Sequence, residues 1–558
     1  MVKRVFNFVY KEVRGLHQAA YILALFSIGS QLLAIVRDRL LAHTFGAGTQ
    51  LDLYYAAFRI PDLLFVLFAS ILSVYVLLPF VTKKNETEGE DAGARVLSQV
   101  FTLFLGSYAV VAALLAVFAP YYVPKLFPGL EGHFELLVTL IRILLLQVLL
   151  LGISNLCGVV TQISHRFVLY AVSPLFYNIG IILGIVVLYP MFGLAGAVSG
   201  VVLGALGHLL IQVPFVAKSQ QRFRFTTNIN WSLILEIFRV SIPRALTLSV
   251  NQIVLLVLIG FASTMAVGSV SVFQFAFNLQ SVPLVIIGAS YSVAAFPRLS
   301  TLLAQNQKAE FNRQVLTALR HIIFWSMPVI ALVIVLRAQI VRVLLGSGAF
   351  DWSDTRLTAA MLAVFVISLA AQCIILLLVR AFYAGGKTLL PLVIAGTSAV
   401  FSVVLSVVLH QVYISSESFQ EVVNAAFRLQ GVIGTEVIVL ALAFIAGQFM
   451  QVMALLLASR FVFAISYRAL WRLMVQSTLA AIAGGLSAYI TLIFVVDGVN
   501  QDTFIGISLQ GVVAGVMGLV AVVLVYAVLR APELHELHRS FKSKILKTDI
   551  VAPQPDNI

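Results

Sequence analysis

Six charged side chains lie in and between two long apolar segments near the start of the chain. They are Arg37, Asp38, Arg39, Asp52, Arg59 and Asp62. A charge at the centre of a bilayer costs about 2.5 to 3.5 kcal/mol on insertion scales, so such side chains usually face a protein interior or a watery cavity. The cluster therefore predicts a transport path for a polar substrate.

The spacing of these charges suggests which of them act together. Asp52 and Arg59 are seven residues apart and share one helix face, and Arg59 and Asp62 are i,i+3 neighbours that can form an ion pair. Arg37 is the strongest binding candidate, because its guanidinium is a planar fork of donors suited to pyrophosphate or carboxylate. The alternative is that Arg37 and Asp52 form a structural ion pair that closes the hairpin of the first two helices.

A second set of candidate residues lies further along the chain. Gln274 and Asn278 are four residues apart, which places both amides on one helix face. Amides within membrane helices either bind polar substrates or join helices through hydrogen bonds worth about 0.6 kcal/mol. Arg244 opens another helix and is a candidate for lining a cytoplasmic entrance.

Composition indicates an all-α polytopic membrane protein. Of the 558 residues, 61% are hydrophobic and 11% charged, and the mean hydropathy is +1.03. The apolar fraction of a soluble globular protein is about 45–50%. A helix that spans a bilayer needs roughly 20 consecutive, mainly apolar residues. The apolar segments are too long for the strands of a membrane barrel. We predict fourteen helical spans: 18–36, 51–82, 96–120, 136–162, 167–189, 192–217, 233–262, 269–297, 315–336, 358–384, 388–411, 436–459, 473–496 and 504–529.

The net charge of +13 follows the predicted topology and does not indicate nucleic acid. Lys and Arg concentrate in the terminal segments and the even-numbered connections, which places both termini in the cytoplasm by the positive-inside rule. Residues 1–17 are basic and amphipathic, and we expect a surface-lying segment there. Residues 531–558 are expected to form a cytoplasmic tail.

A faint internal repeat divides the chain into two lobes. Ala57-Phe58-Arg59 with Pro61 in the first copy is echoed by Ala276-Phe277-Asn278 with Pro283 in the second. We predict an N-lobe at 18–218, a C-lobe at 232–459 and an additional helix pair at 473–530. Repeats of this kind place a substrate near the bilayer midplane. Pro61, Pro243 and Pro283 are plausible bending points.

Several function classes find no support in the sequence. It contains no P-loop and no hydrolytic motif, so an enzyme or an ATP-driven pump is not expected. Cys157 and Cys373 lie in apolar helices without metal-site spacing, and no cofactor is expected. A coupling ion or the membrane potential stays open as the energy source.

Several motifs resemble those of one known family. In the charged region, Arg-Asp at 37–38, Phe-Gly-Ala-Gly at 45–48, Asp52 and Ala-Phe-Arg-Ile-Pro-Asp at 57–62 are similar to the signature of the MurJ/MviN lipid II flippases, which belong to the MOP exporter superfamily. Further matches cover much of the length: Gly-Ser-Val-Ser at 268–271, Leu-Leu-Gly-Ser-Gly-Ala-Phe at 344–350, Phe382-Tyr383, Lys387-Thr388 and Pro391.

The resemblance implies fourteen helices, with a cationic cavity formed by helices 1, 2, 7 and 8 and an apolar groove formed by helices 13 and 14. The cavity would hold the head group of a polyprenyl-pyrophosphate precursor, and the groove its lipid tail. Arg37 would then contact the pyrophosphate, Asp52 would orient it, and Gln274 and Asn278 would contact sugar. The expected location is the bacterial inner membrane. The expected partners are the precursor, membrane lipids and envelope-synthesis enzymes around a monomer.

The chain departs from the family pattern at four positions. Gln31, Phe65 and Asn278 stand where the family usually has cavity arginines, and Ser70 replaces a glutamate. Fewer fixed cations bind an anion less tightly. A flippase for another lipid-linked oligosaccharide, an ion-coupled drug or metabolite exporter and a non-transporting scaffold therefore stay open as alternatives.

Overall fold

The computed structural model describes residues 16–89, 91–496, 503–534 and 536. Within these ranges the regular structure is helical throughout, as predicted. Most of the predicted N-terminal surface segment and most of the predicted tail lie outside the described residues. The helices are α1 Leu16–Phe45, α2 Thr49–Ile71, α3 Val74–Glu88, α4 Asp91–Leu126, α5 Phe134–Ile163, α6 Phe167–Leu183, α7 Tyr189–Leu210, α8 Val213–Lys218, α9 Trp231–Ala262, α10 Ser269–Pro283, α11 Ser290–Ala304, α12 Lys308–Leu344, α13 Trp352–Ile367, α14 Leu369–Ala384, α15 Leu389–Ser415, α16 Glu417–Phe427, α17 Ile438–Phe463, α18 Leu470–Val496 and α19 Phe504–Val528.

The membrane spans agree with the predicted architecture. Eleven helical runs among the described residues are long and apolar enough to cross a bilayer, and α13 with α14 makes one further span, bent by 45°. One of the eleven runs, residues 167–218, reverses at Gly193 and so contains two predicted spans. The helix α1 is the remaining predicted span. The all-helical membrane fold is confirmed.

The interruptions of the spans only partly follow proline. Pro283 ends α10, and a π-helical turn at Leu284–Ala289 follows it. Pro61 and Pro243 lie inside the continuous helices α2 and α9. Membrane helices tolerate proline because neighbouring groups and local adjustments satisfy the freed backbone. The break in the second predicted span falls after Ile71, between α2 and α3.

Two compact units emerge from the packing, and the first comprises Met1–Phe275, Leu344–Thr358 and Thr388–Phe444. Its aliphatic core is built from α2, α3, α4, α5 and the start of α9. The fully buried side chains of this core include Leu77, Leu97, Leu156 and Val160. Apolar surface that is transferred out of water stabilises the fold by roughly 25 cal/mol per Å². Where a helix face exchanges lipid for protein, dispersion contacts provide most of the stabilisation instead.

Within this unit, glycines let α6 and α7 pack backbone against backbone. A Cβ atom added to Gly200 would lie 2.2 Å from Cα of Gly184, and one added to Gly180 would lie 2.2 Å from Cα of Gly204. On the contact face of α7, Gly200 and Gly204 are four residues apart. Opposite them, Gly180 of α6 and Gly184, the first residue of the π-helical turn after α6, have the same spacing. Small residues at this spacing allow close helix approach in membranes, where dispersion replaces the hydrophobic effect.

The second unit comprises Ala276–Val343, Ala359–Lys387 and Ile445–Ile558, and within it α18 and α19 pack on α12. Tyr526 stacks on Phe324 at 4.3 Å between ring centroids and donates to its carbonyl oxygen at 2.8 Å. Arg320 holds the buried Glu533 through Nη2 and Nε at 2.6 and 2.7 Å. The ring stack thus fixes α19 to α12, and the ion pair fixes the segment that follows α19.

The glycine contact between α6 and α7 predicts an unusual response to a single methyl group. Gly200→Ala should lower stability by about 1 to 3 kcal/mol, because the new Cβ forces two backbones apart. Thermal unfolding of the purified protein in detergent measures the change.

Gly396→Ala is the matched control, since nothing lies within 4 Å of the Cβ it would add. Alanine is favoured over glycine inside a helix, so this variant should unfold at the same or a slightly higher temperature. Equal melting temperatures for the two variants would contradict the close contact.

Candidate functional site

Arg37 is held in place by two partners in the first unit. Its Nη2 lies 2.8 Å and its Nε 2.9 Å from Oδ1 of Asp38, and Nη1 donates to Oδ1 of Asn178 at 3.4 Å. The Nδ2 of Asn178 donates in turn to Ser30 Oγ at 3.2 Å and to the Pro174 carbonyl oxygen at 3.2 Å. The side chain of Arg37 is 22% exposed, and both partners orient its guanidinium.

Arg59 and Asp62 form the predicted i,i+3 ion pair, with Nη2 and Oδ2 3.7 Å apart. Arg59 is almost fully buried, and its Nε also donates to the Tyr55 carbonyl oxygen at 3.3 Å. Removing one partner of a buried ion pair typically costs about 3 to 5 kcal/mol. Arg59 is therefore anchored to its own helix on both sides.

Three tyrosines connect the two ion pairs. Tyr54 and Tyr177 each lie within electrostatic range of both Arg37 and Asp62. Tyr177 accepts a hydrogen bond from Gln147 Nε2 at 3.1 Å. The buried Tyr55 hydroxyl has no hydrogen-bond partner within the described chain. These charges, phenols and amides form one set, which we call the polar cluster: Arg37, Asp38, Tyr54, Tyr55, Arg59, Asp62, Gln147, Tyr177 and Asn178.

Asp52 has a different set of partners. Its Oδ2 accepts from the Gly268 N–H at 2.7 Å, and its Oδ1 accepts from the N–H and the hydroxyl of Ser271 at 2.8 and 2.5 Å. Those N–H groups belong to the first turn of α10 and the residue before it, where helix donors lack partners. The carboxylate also favours the positive end of the helix dipole. Asp52 therefore caps α10, while Arg37 pairs with Asp38.

Three loops that are far apart in sequence meet at this cap. The Ala47 N–H donates to Oδ2 of Asp354 at 3.1 Å, and the Ala349 N–H donates to the His43 carbonyl oxygen at 3.0 Å. We call residues 45–48, 264–271 and 344–354 the loop junction. It unites three of the motifs that carry the family resemblance.

Glycine is required where the loops of the junction touch. Gly46 has φ +59°, and a Cβ there would lie 2.6 Å from the Ala349 carbonyl oxygen. Gly268 has φ +91°, and a Cβ there would lie 2.2 Å from the Ala47 carbonyl oxygen. An L side chain is disfavoured on both counts. Next to the junction, the Phe275 ring packs edge-on against Tyr55 and Phe350, at 5.7 Å between centroids in each case.

The remaining predicted site residues are more dispersed. Arg244 is half-buried on α9, directly after Pro243, and Gln274 is buried on α10. Asn278 follows one turn later on α10 and belongs to the second unit. Among the described residues, no group of three or more His, Cys, Asp or Glu side chains can hold a metal ion.

Sequence reasoning missed several members of both groups. Gln147, Tyr177 and Asn178 are polar side chains within apolar helices, and that position is itself a signal of a buried polar network. Asp354 and Glu436 resembled ordinary loop acids. Yet Oε1 of Glu436 accepts from the Ala266 N–H at 3.0 Å, which no local pattern predicts.

Comparison with known proteins identifies the family. The family model for the lipid II flippase MurJ matches residues 41–509. This chain belongs to the MurJ family. A probable lipid II flippase MurJ of Thermotoga maritima is 28% identical over 373 residues, which are 66% of this chain and 74% of the relative. The lipid II flippase MurJ of Burkholderia cenocepacia is 25% identical over 382 residues, 66% of this chain and 73% of the relative.

Solved structures show that the MurJ fold extends over nearly the whole chain. A lipid II flippase MurJ in an inward closed conformation superposes with a TM-score of 0.71 at 20% identity, covering 93% of this chain and 99% of the other. An inward-facing multidrug resistance MATE family transporter of the MOP superfamily gives 0.64 at 13% identity, covering 78% and 94%. At these identities the likeness establishes the fold.

The cap on α10 predicts how the MurJ-family loop junction responds to loss of one charge. In Asp52→Asn one of the two carboxylate oxygens becomes an NH2 group. Because donors of Gly268 and Ser271 face both oxygens, this NH2 group must face an N–H donor and one side of the cap is lost. Hydrogen bonds to charged groups contribute about 1.5 to 3 kcal/mol. Amide hydrogen exchange in residues 264–275 should therefore accelerate about tenfold or more.

Asp91→Asn provides the control, because it makes the same change at an exposed position in the first turn of α4. Exchange of 264–275 should match the unmodified protein in that variant. Unchanged exchange in Asp52→Asn would show that the cap does not hold the junction.

Proposed function

We propose that this chain is a flippase for a polyprenyl-pyrophosphate-linked precursor of the cell envelope, and that the precursor is lipid II for peptidoglycan synthesis. The observation that carries the proposal is the oriented guanidinium of Arg37, on a side chain that is partly exposed, inside an apolar bundle of the MurJ family. The named relatives, which include a lipid II flippase MurJ of Burkholderia cenocepacia, support the choice of substrate. The role is transport and not catalysis.

The chemistry of the polar cluster suits the proposed head group. A guanidinium binds pyrophosphate through parallel, charge-assisted hydrogen bonds. Asp38 and Asn178 hold that guanidinium, and the unpartnered Tyr55 hydroxyl offers a further donor. We assign Arg59, Asp62 and Arg244 to the charged lining and Gln274 and Asn278 to sugar contacts. In this proposal Asp52 does not contact the head group directly, and it influences transport by holding the loop junction together.

Alternating access would move the head group across the bilayer by rocking of the two lobes, 18–218 and 232–459, around the site. The helix pair at 473–530 would receive the lipid tail along an apolar groove. We place the chain in a bacterial inner membrane with both termini on the cytoplasmic side. In this orientation the loop junction would seal the transport path on the outer side of the membrane. We propose a monomer, with membrane lipids and envelope-synthesis enzymes as its other partners and no nucleic acid.

A second candidate cargo is another lipid-linked oligosaccharide. Gln31, Phe65 and Asn278 stand where the family usually has cavity arginines, and Ser70 donates to the Val66 carbonyl oxygen at 2.7 Å instead of contributing a carboxylate. A lining with fewer fixed cations favours a head group with less anionic charge. The multidrug exporter alternative has weaker support, since the MATE transporter shares the fold at 13% identity.

Replacement of an essential lipid II flippase in a bacterial depletion strain tests the proposal. The unmodified chain should restore growth and the translocation of lipid II. Arg37→Ala should remove it, because the loss of two charge-assisted hydrogen bonds lowers head-group binding by about two orders of magnitude. Translocation is read with a fluorescent or protease-accessible lipid-linked substrate.

Two further variants separate function from folding. Arg37→Lys keeps a cation for Asp38 but lacks the planar fork, so it should fold with the unmodified melting temperature and still transport poorly. Arg95→Ala removes an arginine that is 60% exposed and should transport normally. Full transport by Arg37→Ala would overturn the assignment. Transport of a different lipid-linked oligosaccharide, with no transport of lipid II, would select the second cargo.

A further inference from the structure

A cavity of about 480 Å³ opens in the second unit where four membrane helices end together. It lies at the ends of α11, α14 and α17 and at the start of α12. Two lysines line it, Lys308 in the first turn of α12 and Lys387 directly after the Gly385-Gly386 turn. Lysines that flank spanning helices extend their ammonium groups toward the lipid head groups, so these two positions suit contact with an anionic head group.

The walls of the cavity are amphipathic. Phe311 is fully buried and packs against Phe463 at 5.0 Å between ring centroids, and both rings line the cavity. Directly before the lining residues Val462 and Phe463, the large apolar side chain of Phe461 is 84% exposed. A cationic rim beside an apolar, outward-facing surface matches a molecule that has an anionic head and hydrocarbon chains.

A third polar group on the wall lacks a partner. Asn312 lines the cavity and donates through Nδ2 to the Phe463 carbonyl oxygen at 2.9 Å. Its Oδ1 atom is buried and has no hydrogen-bond partner within the described chain. A buried acceptor in this state costs free energy unless a donor arrives. A hydroxyl of a head group in the cavity would supply that donor once the amide of Asn312 rotates toward it.

We propose that this cavity binds the phosphate of an anionic phospholipid, with Lys308 and Lys387 on the phosphate and Asn312 on a head-group hydroxyl. The lipid chains then lie along the apolar surface beside Phe463. Bound lipid connects the ends of α11, α12, α14 and α17, so it should stabilise the second unit. The assignment does not depend on the lipid-linked cargo, because it rests on a different set of residues.

Native mass spectrometry of the full chain tests the site, using phosphatidylglycerol as the probe. Lys308→Gln combined with Lys387→Gln should weaken lipid binding about thirtyfold. Each lysine near an anionic head group contributes about 1 kcal/mol, which is about a fivefold change in affinity. Lys83→Gln combined with Lys218→Gln removes the same charge from exposed positions elsewhere and should leave binding unchanged. Zwitterionic phosphatidylcholine should bind much more weakly to all variants.

A second variant keeps the charges and fills the space. Ala304→Phe places a ring in the cavity and should weaken phosphatidylglycerol binding as strongly as the double lysine change. Binding unaffected by Ala304→Phe would show that the lysines act only as surface charge and would overturn the proposal. Saturation by inorganic phosphate alone, without preference for the lipid, would also overturn it in favour of a soluble phosphate site.

Discussion

Polar groups that are buried among membrane helices and the loops joining them are cut off from water, so each needs a partner inside the protein. Asp52 illustrates this constraint most clearly. Its carboxylate is 4% exposed and takes three donors from α10 and the residue before it. The helix start and the charge satisfy each other, because the donors have no intrahelical acceptors and the carboxylate has no solvent. This pairing also fixes where the loops 45–48 and 264–271 meet.

The same constraint explains what could be predicted from sequence. Apolar length and composition determine the helices, because a spanning backbone must bond within its own segment. The prediction of an all-helical membrane fold needed no tertiary information for this reason. The Arg59–Asp62 pair was also predictable, since both residues lie on one turn of α2. Local periodicity was sufficient wherever the partners are neighbours in sequence.

Partners that are distant in sequence could not be predicted in this way. Asn178 contacts Arg37 across 141 residues and Asp354 contacts Ala47 across 307, so no local pattern identifies either. The role of Asp52 depended on which donors surround it, and those donors come from a helix start 216 residues later.

The donors of the Asp52 cap determine how much free energy a separation of the loops 45–48 and 264–271 requires. Two of its three donors are backbone N–H groups, and their strength does not depend on side-chain size or rotamer. A separation of the loops would return both the carboxylate and the N–H groups to water, which replaces the lost hydrogen bonds. Because the acceptor is a charged carboxylate, the net difference per bond in contact with water is about 1.5 to 3 kcal/mol, whereas even a neutral amide–carbonyl bond is worth about 4 to 6 kcal/mol in an apolar medium. The cap therefore holds the two loops most strongly while water is kept out, and the free energy needed to separate them falls as soon as water reaches the carboxylate.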